Sequence, residues 1–204
     1  MVETINLAHL PPELALYVAM YTDVENATFL KEQLLAGNAE FEYAFIDASL
    51  IISTKHVLAA AFRACYDYLN DRLKSRNVHS ETVFSLSPNN NIGEAFRRFG
   101  VNEATKNLLV LKVATNAEIT LDSVSSHLSA SIKGQESTFD DATFRKVSDI
   151  DRIKKIYKLA SATPKGQSST TVNGDSGADG SSAFDETKQL EIQILGLMAL
   201  RGAT

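Results

Sequence analysis

The amino-acid sequence predicts one α/β domain of the α+β kind, in which helices cover a mixed or antiparallel sheet of about four strands. Three observations predict this class and the organisation of the chain around it. Apolar runs of strand length alternate along residues 14–160 with segments whose apolar side chains recur at helical spacing. Residues 161–185 are rich in Ser, Gly, Thr and Asp and hold almost nothing to bury. Residues 186–204 are predicted to form a C-terminal helix that contains an uncharged stretch, which either binds a partner or is fully buried.

Length and composition describe an ordinary globular chain. It has 204 residues, of which 44% are hydrophobic and 22% charged, and no apolar run approaches the length of a membrane span. The start, MVETINLAHL, predicts no signal peptide, and the single cysteine excludes an intrachain disulfide, so we expect a nuclear and cytoplasmic location. The net charge of −5 counts against broad nucleic-acid binding but permits a focused contact.

The first half of the chain predicts two extended segments and two helices. LALYVAMY at Leu14–Tyr21 is apolar on both faces, as in a buried strand, and Phe41–Ile46 is a second, short extended segment. A helix is predicted over Ala27–Leu35, and a longer one from Thr54 to about Leu73 with Ser53 as its N-cap. The predicted core stripes are Phe29, Leu30, Leu34 and Leu35 in the first helix, and Leu58, Phe62, Cys65, Leu69 and Leu73 in the second.

Residues 76–101 predict a strand, a polar turn and a helix. Thr82–Leu86 is rich in β-branched and apolar residues, and Pro88 ends it. Asn91 suits an N-cap with Glu94 completing a capping box, and Gly100 ends the helix. The Ser87–Asn91 loop is then either an ordinary capped turn or an anion pocket at a helix N-terminus.

The second half predicts another strand and three helices before the linker. LLVLKV within Leu108–Ala114 suggests a central strand. Thr120 caps a helix that runs through Ile132, and two shorter helices follow near 140–146 and 149–159. We therefore expect residues 1–160 and 186–204 to form a single domain, with 161–185 as a disordered linker.

The final helix is predicted to start at Asp185 or Glu186 and has no charge from Ile192 to Leu200. A helix that is apolar nearly all round must be covered on more than one side. Its own domain covers one side if the helix lies at the surface, and the remainder would bind a partner. Full burial of the helix is the alternative, and the residues alone leave both interpretations open.

The titratable residues suggest no catalytic or metal site. His9, His56, His79 and His127 show no metal-ligand spacing and are interpreted as surface or capping histidines. Cys65 lies in a predicted core stripe with no local base, so we interpret it as a buried core residue. There is no glycine-rich phosphate loop, and we expect no cofactor.

Five motifs occur in the order found in a known family. They are SETVFSLSPNNNIGEAFRRFGV at 80–101, FEYAFIDASLI at 41–51, KSRN at 74–77, IKGQE at 132–136 and ALRG at 199–202. Through them the chain resembles the TPRKB family, the kinase-binding subunit of the KEOPS (EKC) complex, over most of residues 12–160 and the last helix. The linker departs from the family pattern.

The resemblance implies a non-catalytic subunit that binds the PRPK-type atypical kinase and supports threonylcarbamoyladenosine modification of tRNA, with a possible telomere role. It implies a monomer within a hetero-complex, no membrane contact, and a grip on the tRNA acceptor end as in archaeal relatives. Since the family uses its C-terminal helix against the kinase, the expected kinase-binding residues are Leu190, Ile194, Leu197, Met198, Leu200 and Arg201. The expected tRNA-binding residues are Arg72, Lys74, Arg76, Asn77 and Lys133.

Two alternatives stand beside this interpretation. The first is a regulatory domain or weak enzyme that binds a small molecule or anion at the Ser87–Asn91 loop. The second is a kinase adaptor with no tRNA contact, in which the cations after the long helix serve only the helix dipole.

Overall fold

The computed structural model describes residues 1–159 and 179–201, and within the last helix it describes side chains from Glu186 onward. In this part of the chain one sheet contains five strands in antiparallel pairs. They are β1 (Glu3–Ile5), β2 (Leu16–Thr22), β3 (Ala44–Asp47), β4 (Leu108–Val113) and β5 (Gln135–Ser137). The order is β1-β2-β4-β3, and β5 shares the outer edge of β2 with β1. The predicted central position of β4 is confirmed.

The helices of the described residues cover both faces of this sheet. They are α1 (Ala27–Leu35), α2 (Thr54–Leu69), α3 (Val78–Ser85), α4 (Ile92–Phe99), α5 (Leu121–Ser131), α6 (Asp141–Val147), α7 (Ile150–Ile156) and α8 (Asp179–Leu200). One apolar core lies between the sheet and α2, α3, α6, α7 and α8, and a second lies between the opposite face and α1 and α5. Strand alternation divides β2 between them, since Val18 faces the first core and Ala19 the second.

Local capping signals fix several helix starts as the sequence predicts. The side chain of Ser53 accepts a hydrogen bond from the backbone N–H of His56, and that of Asn91 accepts from Glu94. Thr120 and Ser123 form a full capping box at the start of α5. At α4 the Glu94 carboxylate turns to Asn89 instead of closing the predicted box.

The predicted strand at Thr82–Leu86 is wrong, because residues 78–85 form α3. Asn77 caps this helix through Ser80 N–H at 2.8 Å. Seven of the eight residues of α3 are buried, including polar ones. The sequence of this segment therefore shows no amphipathic periodicity that would distinguish a helix from a buried strand. β1 and β5, three residues each, were not predicted.

The predicted core stripes of α1 and α2 are partly wrong. Leu30 is fully buried, but Phe29 is 41% and Leu35 78% exposed. In α2, Cys65 is buried as predicted, yet Leu69 is 44% exposed and the helix ends there instead of near Leu73. The buried face of α2 is built mainly from small side chains, which allow close approach of neighbouring helices: Val57, Ala60, Ala61, Ala64 and Cys65.

The predicted linker lies outside the described residues over 161–178. The final helix begins at Asp179, earlier than the predicted start at Asp185 or Glu186. None of the described helices is both long enough and apolar enough to cross a bilayer.

Two histidines are buried, which corrects their interpretation as surface or capping residues. His56 Nδ1 accepts from the backbone N–H of Ile52 at 3.3 Å, and His56 Nε2 meets the Tyr157 hydroxyl at 2.8 Å. Tyr157 donates to the Leu86 carbonyl, which leaves its oxygen to accept from His56. His79 Nε2 accepts from Val113 N–H at 3.0 Å and so ties α3 to β4. A second proton on either ring would face an N–H donor.

We predict acid destabilisation from these two residues. Burial lowers the pKa of both His56 and His79 from 6.5 to about 3. Between those values the unfolded chain binds more protons, so stability falls as pH drops below 6.5. At pH 5 each histidine removes about 2 kcal/mol of unfolding free energy relative to pH 7. Urea unfolding at pH 7, 6 and 5 measures the loss.

Replacing one histidine separates this effect from other acid effects. His56→Gln should flatten the pH dependence by roughly half, while His9→Gln, at an exposed position, should leave it unchanged. Equal pH slopes for wild type and His56→Gln would contradict the assignment.

Candidate partner-binding surfaces

The chain between α2 and α3, residues 72–77, is called here the basic segment. A buried carboxylate fixes its path. Glu81 of α3 is fully buried, and its Oε2 accepts from Lys74 N–H at 3.0 Å, Ser75 N–H at 2.8 Å and Ser75 Oγ at 2.7 Å. Hydrogen bonds to a charged acceptor are the stronger kind. The predicted tRNA-binding residues of this segment therefore extend from a backbone that is held in place by its hydrogen bonds to Glu81.

The side chains of the basic segment differ in what they contact. Arg72 Nη2 lies 3.7 Å from Asp67 Oδ1, and its guanidinium covers the Tyr66 ring at 5.2 Å, so Arg72 is directed back along α2. Lys74 and Arg76 are exposed. Of these three cations, Arg76 alone lines a neighbouring groove.

A groove of about 510 Å³, called here the basic groove, lies between the end of α1, the short helical turn at Ala39–Phe41, and helices α3 and α4. Its lining combines apolar and aromatic side chains with cations and amides. The main members are Leu34, Phe41, Val83 and Phe96, the cations Lys31, Arg76 and Arg97, and the amides Asn38, Asn77 and Asn102.

Two contacts within the groove restrict its polar groups. Gly37 has a φ of +69°, a conformation that glycine adopts without strain. A Cβ there would lie 3.3 Å from Arg76 Nη1, so glycine also leaves room for the guanidinium. Asn77 is occupied as the cap of α3, and its Nδ2 donates to Glu42 Oε1. Asn77, one of the expected tRNA-binding residues, therefore has only the remaining capacity of its amide group for a contact with tRNA.

A polar cluster lies behind the groove at Tyr43. The Tyr43 hydroxyl is 2.9 Å from His127 Nδ1, and Lys112 Nζ lies 4.7 Å from the centre of the Tyr43 ring. Lys112 donates to the Glu42 carbonyl at 2.6 Å. Burial raises the pKa of Tyr43 to about 12 and lowers the pKa of Lys112, with Glu42 opposing the second shift. Tyr43 therefore stays protonated at neutral pH, and Lys112 of β4 is bound to the Glu42 carbonyl, which lies shortly before β3.

Lys133 lies apart from this groove, between α5 and β5. Its backbone N–H donates to Asn26 Oδ1 at 2.9 Å and its carbonyl accepts from Glu25 N–H at 2.9 Å. It is not among the lining residues. The structure brings Arg76 and Asn77 together with Lys31 and Arg97, which the sequence did not single out, but not with Lys133.

The Ser87–Asn91 loop uses its polar groups internally. Asn89 Oδ1 accepts from Asn91 N–H at 3.0 Å, Asn89 Nδ2 donates to Glu94 Oε2 at 3.0 Å, and Glu94 N–H is capped by Asn91. The Glu94 carboxylate places negative charge in the first turn of α4. The loop is thus a capped turn, and its geometry disfavours the alternative of an anion pocket.

Helix α8 presents one stripe to the domain and another to solvent. Leu190, Ile194, Met198 and Arg201 are buried at 6% exposure or less, and Leu195 and Leu197 pack partly against the same core. Four of the six expected kinase-binding residues therefore face their own domain. The opposite stripe, called here the outer face of α8, comprises Gln189, Ile192, Gln193, Gly196, Ala199 and Leu200.

Two arginines attach the end of α8. Arg63 of α2 donates to the carbonyls of Met198 at 2.7 Å and Arg201 at 3.2 Å, which satisfies the last turn of the helix. Arg201 stacks on the Phe84 ring at 3.9 Å and donates to the Phe84 carbonyl. Burial lowers the pKa of Arg201 to about 10, with Arg63 adding to the shift. Arg201 thus stays charged at neutral pH while it joins α8 to α3.

The outer face of α8 carries apolar side chains in water. Ile192 is 63% exposed and Leu200 61% exposed, and an added Cβ at Gly196 would meet no atom within 4 Å. Their spacing of four residues puts all three on one line along the helix. That spacing was readable in the sequence, but the choice of the exposed side was not.

The described residues hold no group of three or more His, Cys, Asp or Glu side chains placed to bind a metal ion. Burial raises the pKa of Cys65 to about 11, so its thiol stays protonated and has the inert character of a core residue.

The fold and these surfaces define an α/β domain with an open antiparallel sheet and a surface-lying C-terminal helix. The chain belongs to the family described as kinase binding protein CGI-121, which matches residues 21–202. It is similar to the EKC/KEOPS complex subunit cgi121 of Aspergillus terreus, with 53% identity over 99% of this chain and 97% of the relative. The same-named proteins of Aspergillus fumigatus (99% of this chain, 97% of the relative) and Coccidioides immitis (100% and 99%) are 50% and 47% identical.

We predict that Glu81→Gln loosens the basic segment. The amide would turn an N–H₂ group or a weaker acceptor toward three donors, so the variant should lose about 2 kcal/mol of unfolding free energy. Hydrogen exchange at the amides of Lys74 and Ser75 should accelerate more than exchange in β4.

Glu118→Gln, at an exposed position, serves as the control and should match wild type in both measurements. Unchanged protection of Lys74 and Ser75 in Glu81→Gln would show that the carboxylate does not hold the segment.

Proposed function

We propose that the protein is a non-catalytic subunit of an EKC/KEOPS complex that binds the small atypical kinase of that complex and supports threonylcarbamoyladenosine modification of tRNA. Support comes from membership in the kinase-binding family and from relatives named as EKC/KEOPS subunits over nearly their whole length. We expect it to work in the nucleus and cytoplasm as one copy within a hetero-complex.

The observation that carries the kinase-binding proposal is the outer face of α8. Ile192 and Leu200 expose large apolar side chains on either side of Gly196. Exposed apolar side chains in a line, with a glycine between them, permit a partner helix to approach the backbone closely. Leu200 lies on this face and Leu197 packs partly against the domain core. Four buried residues hold the helix in place: Leu190, Ile194, Met198 and Arg201.

We predict that Gly196→Arg abolishes kinase binding and leaves the free protein folded. A side chain at this position has room in the free chain, and arginine favours a helix over glycine by roughly 0.5–1 kcal/mol, so stability should be equal or higher. In the complex the same side chain would occupy the space of the partner. Pull-down of the kinase and thermal unfolding measure the two effects.

Ala130→Arg, on the exposed side of α5, is the matched control and should bind the kinase as wild type does. If Gly196→Arg retains full kinase binding, the outer face of α8 is not the docking surface.

The basic groove supports the second part of the proposal, a contact with the single-stranded end of tRNA. The half-buried ring of Phe96 offers a surface on which a base stacks. Arg76 and Arg97 offer charge for phosphates, as does Lys31, which also pairs with Glu103 at 3.0 Å. Such a contact is small and local, as the net charge of −5 requires.

We predict that Arg76→Gln weakens tRNA binding about tenfold, because it removes a charge-assisted contact from the groove. Fluorescence anisotropy with labelled tRNA measures the affinity. Kinase binding should persist, since Arg76 lies on the basic segment and not on α8.

Lys133→Gln removes an exposed cation outside the groove and should change the affinity little. Equal effects of the two substitutions would place the tRNA contact elsewhere, and no effect of either would favour a kinase adaptor without tRNA contact.

A further inference from the structure

A basic surface on α6 and α7 lies outside both the basic groove and the outer face of α8. Within residues 145–158 there are six basic and two acidic side chains, although the whole chain carries a net charge of −5. Five of the six cations are exposed and Lys154 is half-buried. They are Arg145, Lys146, Arg152, Lys154, Lys155 and Lys158, and together with Lys106 they are called here the α7 patch.

Helix dipoles explain only part of this charge. Arg145 and Lys146 lie in the last turn of α6, and Lys154 and Lys155 in the last turn of α7, where cations are favoured in any helix. Lys106 lies on the loop before β4, and Arg152 lies in the first turns of α7, where a cation is disfavoured. Ion pairs with Asp47 at 3.9 Å and Asp149 at 4.0 Å account for Arg152, whereas the position of Lys106 calls for another reason.

The α7 patch continues from the basic groove. Asn102 lines the groove and also lines a smaller cleft that contains Lys106 and Arg152. A second connection runs through α4, where Arg97 faces the groove and Arg98 donates to the Ile156 carbonyl of α7 at 3.3 Å. A nucleic-acid strand whose end lies in the groove would therefore meet cations along both of these connections, through Asn102 and through α4.

The acidic groups nearby are largely engaged. Asp47 is buried, and its Oδ1 accepts from Ser49 N–H at 3.1 Å and Ser49 Oγ at 2.6 Å, while Arg152 lies 3.9 Å from its Oδ2. Asp149 caps α7 through Arg152 N–H at 3.0 Å. Asp151 is exposed and stays a local negative charge.

We propose that the α7 patch binds the phosphate backbone of a structured RNA whose single-stranded end occupies the basic groove. Exposed lysines and arginines without a matching set of amides or aromatic rings suit phosphates better than bases. The patch would therefore add affinity and orientation but no base preference. This inference rests on the proposed tRNA contact, and it adds the partner's duplex region to that contact.

The test measures binding of the full-length chain to two probes, an intact tRNA and a short single strand with the same 3′ sequence, over a range of salt concentrations. Lys154→Gln/Lys155→Gln should lower the salt slope for tRNA by about 1.5, since each lost phosphate contact removes roughly 0.7–0.9. Binding of the short strand should stay unchanged. Lys188→Gln, which removes an exposed cation on α8, should match wild type with both probes.

The outcomes separate this inference from the proposed function. If Arg76→Gln weakens both probes while Lys154→Gln/Lys155→Gln behaves like Lys188→Gln, the groove stands and the α7 patch proposal is overturned. If wild type binds neither probe, both are overturned. If the patch variant keeps its tRNA salt slope but loses a protein partner in pull-down, the surface binds protein and the RNA proposal is also overturned.

Discussion

The burial of α3 is the constraint on which the other features depend. This helix lies against the sheet and α2, and seven of its eight residues are out of water. Burying a polar side chain is costly unless it has a partner. Thr82 bonds to the Val78 carbonyl of its own helix, whereas other polar groups of α3 bond to distant parts of the chain. His79 holds β4, Glu81 holds the basic segment, and the carbonyl of Phe84 receives Arg201 from α8.

The same burial explains where sequence reasoning failed. Local signals predicted the elements whose causes are local, such as the caps at Ser53, Asn91 and Thr120 and the buried strand β4. Residues 82–86 resemble a strand because β-branched and apolar residues dominate a short run that is buried on every side. Asn77, which caps α3, was the available sign of a helix. The short edge strands β1 and β5 form because they pair with β2, and three residues are too few to show a strand pattern in the sequence.

For the candidate surfaces, the sequence pointed to whole elements, and the structure shows which side chains of those elements are exposed. The apolar character of α8 was evident, but Arg201 was assigned outward because nothing local shows that a guanidinium near the chain end will stack on Phe84. Arg76 was recognised from its neighbours in the basic segment, whereas Lys31 and Arg97 join it only through the packing of α1 and α4. Contacts between distant segments decide both cases.

Because α3 contacts both candidate surfaces, their relative position is fixed by one short helix. Glu81, in its middle, anchors the basic segment that supplies Arg76 to the groove, and Phe84, one turn further on, anchors the end of α8. The structure would then hold two ligands at a fixed separation with no conformational change: a partner on the outer face of α8 and a nucleic-acid end in the basic groove. For a subunit proposed to have no chemistry of its own, fixing that separation is what a rigid buried helix supplies to the complex.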